Sequence, residues 1–122
     1  MIGQTIQASE MLVERMFASV LITVPDLKTA DTIASALIEK RLAACANYFP
    51  TRSIYHWKGR IERSEEFIMI LKIWSADFEM VTKEISRLHP YELPCIVKYD
   101  ISDGFQPYLD WIRESTDRSQ EG

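Results

Sequence analysis

Residues 67–74 read Phe-Ile-Met-Ile-Leu-Lys-Ile-Trp, a run in which both faces of an extended chain are apolar. Phe67, Met69, Leu71 and Ile73 fall on one side, and Ile68, Ile70 and Trp74 on the other, with Lys72 the single polar member. Successive side chains of a strand point to opposite faces, so such a segment has to be covered twice.

The flanking sequence says how the first cover is supplied. Phe17–Val24 is β-branched and mostly apolar, and predicts a central strand ended by Pro25. Asp26 predicts an N-cap, and Ala30, Ile33, Ala34 and Leu37 at i, i+3, i+4 and i+7 predict an amphipathic helix closing on Lys40 and Arg41. Cys45–Trp57 reads as a long strand interrupted at Pro50, with Lys58 and Gly59 turning into the strand that ends at Trp74. Phe78, Val81, Ile85 and Leu88 repeat at helical spacing until the His89-Pro90 pair stops them. Residues 96–101 supply a last strand, and Phe105, Tyr108, Leu109 and Ile112 mark a short C-terminal helix. Residues 1–15 are expected to form a flexible arm, residues 16–115 the folded domain, and residues 116–122 a polar frayed tail.

The resulting order is βαββαβ plus a terminal helix, an α+β sandwich of ferredoxin-like type with a long hairpin between its second and third strands. Both crossovers share one hand, so both helices fall on one sheet face. The other apolar face then predicts a closed homo-oligomer, with Tyr55 and Trp57 near the hairpin tip packing against a neighbouring subunit.

Charge narrows the partners. A formal net charge of −4 and fourteen scattered Lys and Arg residues argue against a nucleic-acid partner and against an anionic membrane surface. The longest apolar run, residues 67–71, is too short to span a bilayer. Two cysteines, Cys45 and Cys95, give neither a disulfide framework nor a Cys-x-x-Cys pair, so a cytoplasmic protein is expected.

The densest chemistry lies in residues 89–94, His-Pro-Tyr-Glu-Leu-Pro. Each proline fixes its own φ and biases the residue before it away from helix, so an imidazole, a phenol and a carboxylate are held in a defined orientation. His89 reads either as a helix C-cap or as a metal ligand through one ring nitrogen. Cys45 falls opposite Lys72 if the hairpin register is unbroken; a bulge at Pro50 slips the pairing by one and puts the two side chains on opposite faces. Cys45 reads as a buried small hydrophobe or as a thiol activated by that ammonium. Lys72, alone in an apolar strand, calls for a carboxylate, Glu66, Glu92 or a neighbouring subunit's, or for a bound anion.

Several segments together resemble the CutA family of divalent-cation tolerance proteins: residues 23–26 (Thr-Val-Pro-Asp), 41–47 (Arg-Leu-Ala-Ala-Cys-Ala-Asn), 53–57 (Ser-Ile-Tyr-His-Trp) with Gly59, 70–72 (Ile-Leu-Lys), 89–92 (His-Pro-Tyr-Glu), and Tyr108 with Trp111 and Ile112. The resemblance implies a trimer of ferredoxin-like domains, an association with copper and other divalent cations, and no settled reaction. It also implies that Lys72, Tyr91, Glu92, Tyr108 and Trp111 line a cleft between subunits suited to a small anionic ligand. His89 and Cys45 are the metal-ligand candidates, Cys45 suiting a soft ion such as Cu(I) and His89 with Glu92 a harder one. Ile22 and Leu88 stand where some bacterial members carry a cysteine and a second histidine, and Cys95 stands where many carry glutamate. A copper site built on that cysteine and histidine pair keeps only His89 here.

The expected function is therefore that of a non-catalytic trimeric protein of divalent metal tolerance, with a PII-like trimeric regulator binding a nucleotide or other small anion as the alternative. An enzyme built on Cys45 or His89 lacks a recognisable catalytic set, and strand three lacks the glycine and aromatic pattern of an RNA-binding domain.

Overall fold

A computed structural model describes residues 16–119; the arm expected over residues 1–15 and the last three positions of the tail lie outside them. Phe17–Val24 (β1), Cys45–Trp57 (β2), Arg60–Trp74 (β3) and Ile96–Asp100 (β4) form one sheet in the order β2-β3-β1-β4. All three pairings are antiparallel, giving the strand order of the ferredoxin-like arrangement. Leu27–Glu39 (α1), Phe78–Leu88 (α2) and Gln106–Ser115 (α3) are the helices, α2 being led in by a single 3-10 turn at Ser75–Asp77.

Local chemistry accounts for the elements. The Asp26 carboxylate accepts the Thr29 N–H at 2.7 Å, capping α1, and the four spaced apolar residues Ala30, Ile33, Ala34 and Leu37 are all buried. Lys58 at φ 50 and Gly59 at φ 79 make the two-residue turn with both central residues left-handed that matches the twist of a hairpin. From that turn the pairing runs unbroken from Trp57 opposite Arg60 to Cys45 opposite Lys72. The interruption expected at Pro50 does not occur: Pro50 sits opposite Phe67 within the ladder. β2 is an edge strand, where a proline nitrogen can face outward without costing a ladder bond.

Helices α1 and α2 cover one face. Val20, Ile22, Val24, Met69, Leu71 and Ile73 are fully buried there against Ile33, Leu37, Val81 and Ile85. The opposite face is covered by a helix at one end alone, where Leu109 and Ile112 of α3 pack on Phe17 and Trp74, whose rings meet edge to face at 5.5 Å. Of the four apolar residues that marked this helix in the sequence, Leu109 and Ile112 are buried whereas Phe105 and Tyr108 stand exposed. Phe105 precedes the helix as its N-cap residue.

The start of the expected tail is held rather than frayed. Thr116 is buried with its hydroxyl donating to the Ile112 carbonyl, and the Arg118 guanidinium forks onto Asp77 at 2.8 and 2.9 Å while reaching the Arg41 carbonyl at 3.0 Å. Asp77 is itself buried, and a buried carboxylate needs a partner cation; residue 118 supplies it.

Candidate functional site

The register lines up the side chains of the open face in rows across the sheet. Cys45, Lys72, Ser19 and Tyr99 form one; Asn47, Ile70, Leu21 and Val97 the next; then Phe49, Ile68 and Thr23; and last Thr51 with Glu66. The charged groups sit at the two ends of this surface, with mainly apolar rows between.

At the first end α3 overhangs the Lys72 row. Cys45 Sγ lies 3.5 Å from the Tyr108 hydroxyl, and the Tyr108 ring stacks on Trp111 at 5.4 Å. The contact with Cys45, and then burial, push the Tyr108 phenol up to about 12. Of the two registers left open by the sequence, the structure realises the one that sets Cys45 beside Lys72. Among the described residues no carboxylate comes within ion-pair distance of Lys72.

At the second end the loop after α2 folds back over Glu66. The Tyr91 hydroxyl donates to Glu66 Oε2 at 2.7 Å, and Glu66 is 5% exposed. Burial, followed by the Glu66 hydrogen bond and charge, pushes the Tyr91 phenol well above its ordinary range. Burial and then the Glu66 charge push the Cys95 thiol up as well. Glu92 stands exposed at the rim, 3.5 Å from Lys58. A cavity of about 870 Å³ opens here between the hairpin and the loop.

The five ligand-site candidates therefore divide. Lys72, Tyr108 and Trp111 share the first end, and Tyr91 and Glu92 the second. Lys72 and Glu66 lie six positions apart on β3, about 20 Å along an extended strand.

The two metal-ligand candidates are not brought together within one chain. Cys45 lies in the Ser19 row, whereas the His89 ring contacts Thr23 at the other end of β1. His89 is 8% exposed and both its ring nitrogens are occupied: Nε2 donates to the Thr23 carbonyl at 2.7 Å, and Nδ1 accepts the Tyr91 N–H at 3.1 Å. Only a neutral ring protonated at Nε2 makes both bonds, so His89 pins the His-Pro-Tyr loop to the end of β1. Among the described residues no group of three or more His, Cys, Asp and Glu is placed to hold a metal ion.

The Glu66–Tyr91 pair was not foreseen as a pair. Alternation puts Glu66 on the face of Lys72, which the sequence shows, but the fold-back of the loop after Pro90 has no periodic signal. The Asp77–Arg118 clasp escaped for a related reason, since an arginine in a polar terminal segment looks like any solvated charge.

An open-faced βαββαβ domain with an overhanging third helix and polar groups at both ends of the bare face is the class that this geometry defines. The family model described as CutA1 divalent ion tolerance protein matches residues 18–115, and the chain belongs to that family. The divalent-cation tolerance protein CutA of Archaeoglobus fulgidus is 44% identical over 98 residues, covering 80% of this chain and 96% of the relative. That of Thermus thermophilus is 45% identical over 98 residues, covering 80% and 95%. The human protein CutA is 40% identical over 101 residues, covering 82% of this chain and 56% of the relative. Among solved structures, the periplasmic divalent cation tolerance protein CutA from Archaeoglobus fulgidus superposes with a TM-score of 0.82 at 43% identity, over 84% of this chain and all of the other. The Thermus thermophilus protein gives 0.81 at 44% identity, with the same coverage.

Proposed function

We propose that the protein acts as a non-catalytic homotrimer in the tolerance of divalent metal ions, copper among them, in the cytoplasm, with a small-ligand site where the open faces of two copies meet. The observation that carries this reading is the bare face itself. Leu21, Ile68 and Ile70 keep part of their surface in water and Val97 is 42% exposed, although each belongs to a row in which apolar side chains predominate. Contiguous apolar surface of this kind marks a contact with another molecule, and a second copy is complementary in composition. The family's name supports the metal role. A metal ion on this reading gathers ligands from more than one copy: Cys45 contributes from the sheet edge, and His89 contributes only by giving up one of its two ring bonds, to Thr23 or to the Tyr91 N–H.

Sedimentation at micromolar concentration, with equilibrium dialysis against Cu and Zn salts, tests both parts. A three-chain species that takes up more than one ion per trimer is expected; a single-chain species, or a trimer that stays metal-free, overturns the corresponding part. Lys72, with no carboxylate beside it among the described residues, favours a second reading, a PII-like trimeric regulator binding a nucleotide or other small anion at the first end of the face. A thermal-shift series with ATP, ADP and AMP separates the two.

A further inference from the structure

We infer that the second end of the open face binds an organic ammonium ion, with the Glu66 carboxylate as its counter-charge. The inference rests on reading this face as a ligand-bearing surface and names the ligand class of its Tyr91 half. A carboxylate taken out of water requires either a cation or a full set of hydrogen bonds. Glu66, 5% exposed, has the Tyr91 hydroxyl and, among the described residues, no basic side chain within ion-pair distance. Arg52 lines the same cavity, but the register sets it opposite Glu65 and no ion pair joins it to Glu66. Lys58 is drawn to Glu92 at the rim.

The shape of the space selects among cations. The cavity of about 870 Å³ lies in the size range of sites for small organic molecules, and Tyr55, Trp57, Tyr91 and Leu93 are among its walls. A bare divalent ion needs several ligands, and no group of three His, Cys, Asp and Glu converges here among the described residues. Aromatic faces beside the buried Glu66 carboxylate, with Glu92 at the rim already paired to Lys58, suit an ammonium carried on an apolar body, the nitrogen on Glu66 and the body along the rings. The charge on Glu66 also acts on both neighbouring acids, Tyr91 and Cys95, which are held in their neutral forms; an anion entering this end meets the same field.

Calorimetric titration of the full chain with phenethylammonium chloride, against uncharged 2-phenylethanol, reads the inference directly, with sedimentation run on the same samples. Saturable binding of one ammonium per chain is expected, with the alcohol and the Glu66→Gln variant each binding about tenfold more weakly, the scale of one lost charge-assisted contact. Glu65→Gln removes the same charge one position away on the opposite face and is expected to bind like the parent. A chain that binds neither probe, that binds the alcohol as well as the ammonium, or whose Glu66→Gln variant is unimpaired overturns the inference. The alcohol comparison decides the matter even if Glu66→Gln does not fold. A trimer that ignores the ammonium removes this inference alone, whereas a single-chain species that binds it removes the trimer reading alone.

Discussion

Leu71 and Ile70 are neighbours on one strand with opposite fates. Leu71 is fully buried between Val20 and Ala46 beneath the helices, while Ile70, between Leu21 and Asn47, keeps part of its surface in water. The same contrast holds along β3 from Ile68 to Ile73: its helix-side residues Met69, Leu71 and Ile73 are sealed, and its open-side residues Ile68, Ile70 and Lys72 are not. The two faces also differ in kind. The sealed side of β1, and of β3 from Phe67 to Ile73, is wholly apolar, whereas the bare side mixes Leu21, Ile68 and Ile70 with Ser19, Thr23, Lys72 and Glu66. That mixture resembles an interface, an apolar centre with polar groups toward its margins, more than a domain core. One strand thus carries two burial requirements, of which a single chain meets one.

The largest test sets these neighbours against each other. Leu71→Ala should cost about 2–5 kcal/mol in chemical denaturation, the range for emptying a sealed site. Ile70→Ala should cost less than about 1 kcal/mol in a chain diluted below its association range, and more as concentration rises. Equal, concentration-independent costs would erase the distinction between the faces. A smaller effect is expected for His89→Ala, which leaves the Thr23 carbonyl and the Tyr91 N–H without their partner; about 2–3 kcal/mol is the expected loss. If the variant instead keeps full stability while losing metal uptake, His89 belongs with the functional groups of the open face and not with the fabric of the sealed one. Arg118→Ala strands the buried Asp77 carboxylate, and with Arg118 itself one-third exposed the expected loss is about 1–2 kcal/mol.

Periodicity and the special backbone of proline and glycine account for what was legible in the chain. The alternation in residues 67–74, the four apolar positions of α1 and the Lys58-Gly59 turn each act over a few residues, and each placed its element and its register. Counting back from the turn offered the pairing of Cys45 with Lys72 as one of two registers, and the structure has that one. Contacts made by irregular segments were not legible in the same way. Tyr91 meets Glu66 across 25 positions and Arg118 meets Asp77 across 41, through a loop and a terminal segment whose paths no repeat encodes. The candidate residues could therefore be named from the sequence but not divided between two ends, since membership of a face is a strand property and position along it depends on which loop folds over which end.

Tyr108 offers the finest test, because it joins the two kinds of surface: its helix seals Phe17 and Trp74, while its hydroxyl reaches Cys45 on the open side. In the fold its phenol titrates at about 12, against 10.0 in an unstructured chain. The folded state holds this proton more tightly than the unfolded one, so the contribution to stability is complete below pH 10 and is lost as the pH rises through about 12. The phenolate absorbance of the parent minus that of Tyr108→Phe isolates this group. With the first cause of the shift removed in Cys45→Ala, the Tyr108 titration should move back toward its ordinary value, and the alkaline loss of stability should narrow with it. An unchanged titration would assign the shift to burial of the phenol, its second cause, and Tyr108 would then belong with the sealed surface rather than with the open one.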